Sequence, residues 1–268
     1  MNRVRLIFCL LSAALFLLVL GPPRAFAQSR GWRAGRGAAP WFQKLACAAL
    51  GVEVRIHGRA AAGPRLIVAN HVSWLDIPVL GSIEPMTFLA KREVGAPALG
   101  GRLARLQGII FVDRRRRRCI PAVNAEMARA MAKGEPVVLF AEATTSDGTR
   151  ILPFRSSHFE AIRQAAVAGG AAVIQPVFLD YSRLVGLPVS RRDRPLFAWY
   201  GDTTFLPHFR RFIAAGPTRC DVHYGEPIPV STEAGRKVLA RWTELQVRAL
   251  CGAARRANWP ILAGAGSS

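Results

Sequence analysis

Leu66-Ile67-Val68-Ala69-Asn70-His71-Val72-Ser73-Trp74-Leu75-Asp76 joins an apolar run to a histidine and an aspartate five residues apart. Residues 66–69 are apolar on both faces and read as a buried strand, so the polar residues after them stand at a strand exit. His71 and Asp76 there can form a general base and the carboxylate that fixes its tautomer and stabilises the imidazolium. No nucleophilic Ser or Cys has to join them if the attacking hydroxyl belongs to a substrate. The plainer alternative is a helix cap. Ser73 with Asp76 three residues on fits a capping box, although Pro78 would then sit past the first turn; with Asp76 as the N-cap, Pro78 falls inside it. Five helical residues turn through roughly 140°. The two side chains therefore meet only if His71 lies on the loop before the helix.

Outward from this stretch, short β-like runs alternate with helical ones. Val52, Val54 and Ile56 alternate with polar residues, as in a half-exposed strand. Residues 66–69, 88–90, 109–112, 137–140 and 172–179 are apolar on both faces, as in central strands covered by helices. Helices are predicted near 116–132 and 156–168, ending at Gly134 and at Gly169-Gly170, where C-cap glycines belong. Residues 197–200 and 220–224 read as further β-rich stretches, and a final basic helix is predicted from Ser231 to about Arg256. This alternation predicts an α/β fold with a largely parallel central sheet flanked by helices, whose functional residues gather at strand ends.

The chain has 268 residues, 51% of them hydrophobic, which suits one globular domain plus an extra apolar segment. Residues 6–20 are almost uninterruptedly apolar, preceded by Arg3 and Arg5 and closed by Gly21-Pro22-Pro23. The segment alone fits a short spanning helix, an anchor dipping into one leaflet, or a signal peptide cleaved after Ala25-Phe26-Ala27. Residues 28–40, rich in Gly, Arg and Ala, read as a linker, followed by a catalytic domain over 41–256 and a tail over 257–268. Five cysteines without a C-x-x-C pair support neither zinc ligation nor a disulfide framework, which favours the reducing cytosol. No metal site is implied.

The formal charge is +20, from 37 Lys+Arg against 17 Asp+Glu, and Arg114 to Arg118 is the densest run. Such a field draws anions: nucleic acid, an acidic membrane face or phosphorylated substrates. A nucleic-acid partner is not expected, because the chain has no recognisable recognition helix and its arginines are not interleaved with stacking aromatics.

Three further clusters follow predicted strands. Gly108-Ile109-Ile110-Phe111-Val112-Asp113-Arg114 ends in an acid-base pair. Phe140-Ala141-Glu142-Ala143-Thr144-Thr145-Ser146-Asp147-Gly148 is a polar turn after a buried run. Val173-Ile174-Gln175-Pro176-Val177 interrupts a strand with proline, which predicts an edge strand or one bent round a site. In this order the four blocks resemble the lysophospholipid acyltransferase superfamily, of which bacterial 1-acylglycerol-3-phosphate acyltransferase is the best-known type. Its motifs are His-x4-Asp, Gly-x-x-Phe-(Ile/Val)-Asp-Arg, a Phe-Pro-Glu-Gly-Thr-Arg block and a hydrophobic block centred on Pro. Residues 88–93 with Pro97 also resemble the stretch between the first two motifs, and the likeness covers about residues 45–230.

The resemblance implies a glycerol-3-phosphate acyltransferase-like fold with residues 1–27 as a membrane anchor. It implies transfer of a fatty acyl group from acyl carrier protein or coenzyme A, a co-substrate and not a bound cofactor, to a lysolipid hydroxyl. By this likeness His71 is the base and Asp76 its partner. Gly108, Phe111, Arg114, Glu142, Thr144, Thr145 and Pro176 are carried over as residues that shape the acceptor pocket. Oxyanion donors are expected among backbone N–H groups near the helix after His71. The catalytic domain would face the cytoplasm at a bacterial inner membrane, held by its basic surface to anionic lipid. The implied acceptor is 1-acyl-sn-glycerol-3-phosphate, giving phosphatidic acid. Ala141, Ala143 and Thr145 depart from the motif's Pro, Gly and Arg. That departure, with Ala198-Trp199-Tyr200-Gly201-Asp202 and Pro207-His208, resembles the lyso-ornithine-lipid branch and makes it the alternative. A non-catalytic lipid-binding or nucleic-acid-binding protein is the remaining one.

Overall fold

The apolar runs pair side by side as strands, and every element that carries the motifs hangs from them. The computed structural model describes residues 38–91, 109–112, 117–168 and 172–258. In chain order these form α1 (Ala38–Leu50), β1 (Val52–His57), β2 (Arg65–Ala69), α2 (Asp76–Gly81), β3 (Thr87–Lys91) and β4 (Ile109–Val112). Next come α3 (Ile120–Ala132), β5 (Val137–Phe140), α4 (Glu160–Val167), β6 (Val173–Leu184) and β7 (Leu187–Pro188). The chain continues through α5 (Arg194–Phe197), α6 (Phe205–Ala215), β8 (Thr218–Tyr224), β9 (Ile228–Pro229) and α7 (Arg236–Asn258). Helix α1 begins at Ala38, inside the stretch read as linker, and α7 runs to Asn258. The anchor, most of the linker, Gly108, Asp113, Arg114, Gly169 and Gly170 lie outside the described residues. Among those described, no helix is long and apolar enough to cross a membrane.

The sheet runs β1-β8-β6-β2-β5-β3-β4. Strands β6, β2, β5, β3 and β4 are mutually parallel, but β8 pairs antiparallel with β6 and carries β1 parallel to itself. The sheet is thus mixed, not largely parallel throughout. Successive parallel strands need crossovers, and α3, from β4 to β5, and α4, from β5 to β6, supply two of them. Strand β8 instead returns along the long strand β6 after α5 and α6, and no local pattern dictates its direction.

All five residues of β2 are buried, because alternate side chains enter two cores. Ile67 and Ala69 face a core with Val138, Phe140, Leu179, Tyr181, Leu75, Val79, Phe197 and Phe212. Leu66 and Val68 face the opposite core with Leu139, Ile174, Met127, Met131, Ile162 and Leu239.

Three local expectations are corrected. Residues 197–200 are not a strand: α5 ends at Phe197, and Ala198 and Trp199 leave it as irregular chain. The final helix begins at Arg236, five residues after Ser231. Pro176 sits on neither an edge nor a bend that ends pairing, for β6 runs between β2 and β8 with Pro176 opposite Val68. Its carbonyl accepts the Gly225 N–H where β8 has just ended and before β9 pairs with Val173 and Ile174. The missing N–H points to that same gap, so no ladder bond is lost. The buried Gln175 side chain spans the gap, accepting from the Ala61 N–H at 2.8 Å and donating to the Gly225 carbonyl.

Candidate active site

Strand β2 ends at Ala69, and the next residue extends its pairing by side chain. Asn70 Oδ1 accepts the Leu179 N–H at 2.8 Å, and its Nδ2 donates to the Leu179 carbonyl at 3.1 Å. This ties the loop to β6. His71 follows on the loop and Asp76 opens α2, so the two meet as the loop placement requires. His71 Nδ1 lies 2.8 Å from Asp76 Oδ2. The same oxygen accepts the Val72 and Ser73 N–H groups at 2.7 and 2.9 Å, and Oδ1 accepts the Tyr181 hydroxyl at 2.7 Å. Neither cap register holds. The helix begins at Asp76 itself, its carboxylate reaches back to the preceding N–H groups, and Pro78 falls in the first turn.

The electrostatic consequence is directional. An ionised carboxylate only accepts, so His71 Nδ1 carries the proton and Nε2 the lone pair. Asp76 is wholly sealed while the His71 side chain keeps 16% of its surface exposed, which leaves an outward base over a buried counter-charge. The imidazole stacks on Phe140 at 4.1 Å between ring centroids. The backbone around it is fixed by its N–H to Glu142 Oε1 at 3.1 Å, its carbonyl from the Ser146 N–H at 2.8 Å, and the Val72 carbonyl from the Trp199 N–H at 2.9 Å. Trp199 belongs to the block that set the branch apart in the sequence. The Val72 and Ser73 N–H groups, being committed to Asp76, are not spare oxyanion donors.

Glu142 is buried beneath the loop, and its second oxygen accepts the Leu152 N–H at 3.1 Å. Burial pushes its carboxyl up to about 7, against the pull of those two N–H bonds and helped by the nearby Asp76 charge. Ala143 beside it has φ 60, a left-handed conformation that explains why glycine suits this motif position. Gly148 also has positive φ, and a Cβ there would lie 3.2 Å from Val72, so the third block packs directly on the His71 loop. Thr144 is exposed and Thr145 half-buried in this turn. Phe111 lies in β4 in register with Ala90, and Pro176 lies within the sheet opposite Val68. Gly108 and Arg114 lie outside the described residues.

The residue that sequence reading missed is Tyr181. It stands on β6, more than a hundred positions from its partner, and only strand alternation from Leu179 to the same face points to it. His208, read near a β-like run, is wholly buried in α6 and accepts the Trp74 indole N–H at 3.2 Å, a packing role.

A family profile described as Acyltransferase matches residues 51–180, the span that holds the dyad and the third block. The chain is 40% identical over 225 residues to the lyso-ornithine lipid O-acyltransferase of Brucella abortus, covering 82% of this chain and 83% of that protein. The chain belongs to the lysophospholipid acyltransferase superfamily. A second member, the lyso-ornithine lipid O-acyltransferase of Rhizobium meliloti, is 36% identical over 250 residues, 92% of this chain and 86% of that one. The crystal structure of the 1-acyl-sn-glycerophosphate acyltransferase PlsC from Thermotoga maritima superposes with a TM-score of 0.63 at 17% identity, over 94% of this chain and 96% of that one, a likeness of fold. As an acyltransferase of this superfamily, the protein carries its family's His-x4-Asp block on a loop tied by hydrogen bonds to Asp76, Glu142, Ser146 and Trp199.

Proposed function

We propose that the protein is a lyso-ornithine lipid O-acyltransferase that uses His71 as general base. The carrying observation is the 2.8 Å bond from His71 Nδ1 to a sealed Asp76, which leaves Nε2 outward as the proton acceptor. The acceptor hydroxyl gives its proton to Nε2 while its oxygen bonds to the thioester carbonyl carbon. The tetrahedral adduct then expels the thiolate, which recovers the proton from Nε2. Asp76 stabilises the transient imidazolium, and Tyr181 holds the far carboxylate oxygen. No acyl-enzyme forms, and the thioester of acyl carrier protein or coenzyme A is the donor.

The acceptor expected first from the sequence, 1-acyl-sn-glycerol-3-phosphate, gives way here to its alternative. Support comes from the names of the two relatives above and from Thr145, which stands where the phosphate-accepting pattern has Arg. A guanidinium lost from a phosphate site costs roughly ten- to hundredfold in binding. In this reading residues 6–20 anchor the chain and the basic domain rests on anionic lipid from the cytoplasmic side. Labelled acyl transfer by purified protein to lyso-ornithine lipid and to lysophosphatidate tests the acceptor. At least tenfold higher kcat/KM for the former is expected, and equal values overturn it.

A further inference from the structure

Residues 198–208, the block that set the branch apart in the sequence, give the His71 loop one backbone N–H, that of Trp199. The same block holds three large apolar side chains at the surface. Tyr200 is 41% exposed, Phe205 47% and Leu206 53%. Single exposed apolar residues are ordinary, but three gathered in one turn and the helix start after it mark a contact surface. The turn itself is held. The Trp199 indole N–H donates to the Thr203 carbonyl at 2.7 Å, and the Thr203 N–H donates to the Tyr200 carbonyl at 3.4 Å.

This tip packs against the catalytic loop. Trp74, three residues after His71, meets the Phe205 ring edge-on with 5.4 Å between centroids, and Phe205 meets Trp199 edge-on at 6.3 Å. The Trp74 indole N–H donates to His208 on α6, and the Trp199 N–H donates to the Val72 carbonyl. Tip and loop therefore stand together at the end of the sheet where β2 leaves it. Helix α6 buries His208, Phe212 and Ile213, while Arg210, one turn on from Leu206, and Arg211 are exposed. Among the described residues neither arginine has an ion-pair partner. Asp202 is the only carboxylate between positions 199 and 211, so the patch joins apolar side chains to a net positive charge.

We infer that Tyr200, Phe205 and Leu206, with Arg210 and Arg211 beside them, seat the domain on an anionic lipid bilayer and bring the His71 loop against it. A bilayer takes up both halves of the patch. Its acyl region receives the apolar side chains, the polar edge of a tyrosine suits the headgroup level, and the anionic headgroups meet the guanidiniums. A second copy of the chain docked through the same patch would instead set guanidiniums against guanidiniums. The surface also fits the chemistry, since a lipid acceptor keeps its acyl chain in the bilayer while its hydroxyl comes to Nε2. The inference rests on the reading above that the acceptor is a membrane lipid, and adds the face on which the domain lies.

The test measures depth in the membrane with full-length protein in vesicles of phosphatidylethanolamine and phosphatidylglycerol. Cys9→Ser and Cys119→Ser remove two thiols, and Cys47, Cys220 and Cys251 are buried. An environment-sensitive fluorophore is then attached through Leu206→Cys, through Tyr200→Cys as a second probe of the tip, or through Val167→Cys. Val167 is exposed where α4 ends ahead of β6, at the end of the sheet opposite the His71 loop. Emission from positions 206 and 200 should shift to the blue and be quenched by spin labels carried on the lipid acyl chains, while position 167 stays unquenched. Arg210→Gln with Arg211→Gln should lower the ratio of docked to undocked tip roughly 25-fold, about fivefold per cation. Unquenched probes at 206 and 200 in vesicles that hold the protein overturn the docking face, as does equal quenching at 167. A shift that needs acyl carrier protein and not lipid overturns it in favour of a carrier contact. Quenching at 206 without acyl transfer to any lysolipid overturns the acceptor reading and leaves the docking face standing.

Discussion

Replacing Asp76 by Asn removes one charge and almost nothing else, so it isolates what the buried carboxylate does. The amide oxygen can take the place of Oδ2 and keep its three donors, His71 Nδ1, Val72 N–H and Ser73 N–H. The amide nitrogen then faces the Tyr181 hydroxyl, which rotates from donor to acceptor. Shape and tautomer survive. What is lost is the counter-charge to the imidazolium that forms as the acceptor hydroxyl gives up its proton. At a charge separation of about 4 Å and an effective dielectric of about 20, that attraction is about 4 kcal/mol, or roughly a thousandfold in rate. Steady-state acyl transfer with a labelled thioester should therefore show kcat down about 10³-fold, acceptor KM within a few-fold, and a cooperative thermal transition. A well-folded Asp76→Asn protein within tenfold of wild-type kcat would refute the role of Asp76 as counter-charge.

Tyr181→Phe removes one donor from that carboxylate and leaves three, so it should cost about 1.5–3 kcal/mol in denaturant unfolding but lower kcat far less than Asp76→Asn; the reverse ranking would contradict the geometry. Glu142 has a folded-state pKa of about 7, above its ordinary value, so its contribution to stability is present below pH ~4.5 and lost as pH rises through 7. The stability of wild type relative to Glu142→Gln should fall by an amount on the order of 3 kcal/mol between pH 4.5 and 8, and a pH-independent difference would argue against a buried carboxyl here. Ala143→Gly should stabilise the protein by roughly 0.5–1 kcal/mol in chemical denaturation, because the left-handed φ of 60 no longer carries a Cβ; destabilisation would show that the methyl group packs usefully.

The strands at 66–69 and 137–140 were legible because burial on both faces forces apolar side chains at every position, whatever their order in the sheet. Strand direction was not. Nothing within residues 220–224 records that β8 runs against β6, for that follows from how α5 and α6 bring the chain back. Residues 197–200 misled because aromatic side chains imitate a strand pattern, while Pro195 in the first turn of α5 marks a helix start. Pro176 misled for the opposite reason: proline usually marks an edge, but here its missing N–H meets the junction between β8 and β9, which a side-chain amide fills. At the site, the His-x4-Asp spacing pointed to a loop followed by a helix. The carboxylate's reach back to Val72 and Ser73 and its bond to Tyr181 depend on tertiary packing, and no local spacing encodes them.

In the proposed reaction His71 takes the proton from the acceptor hydroxyl. The most direct test of this step is the kcat of purified His71→Ala protein with lyso-ornithine lipid and an acyl thioester, beside wild type at matched folding by thermal melt. A fall of about 10²–10⁴-fold is expected, the usual worth of general-base catalysis. A His71→Ala protein that melts like wild type and transfers acyl groups within a few-fold of its rate would contradict it.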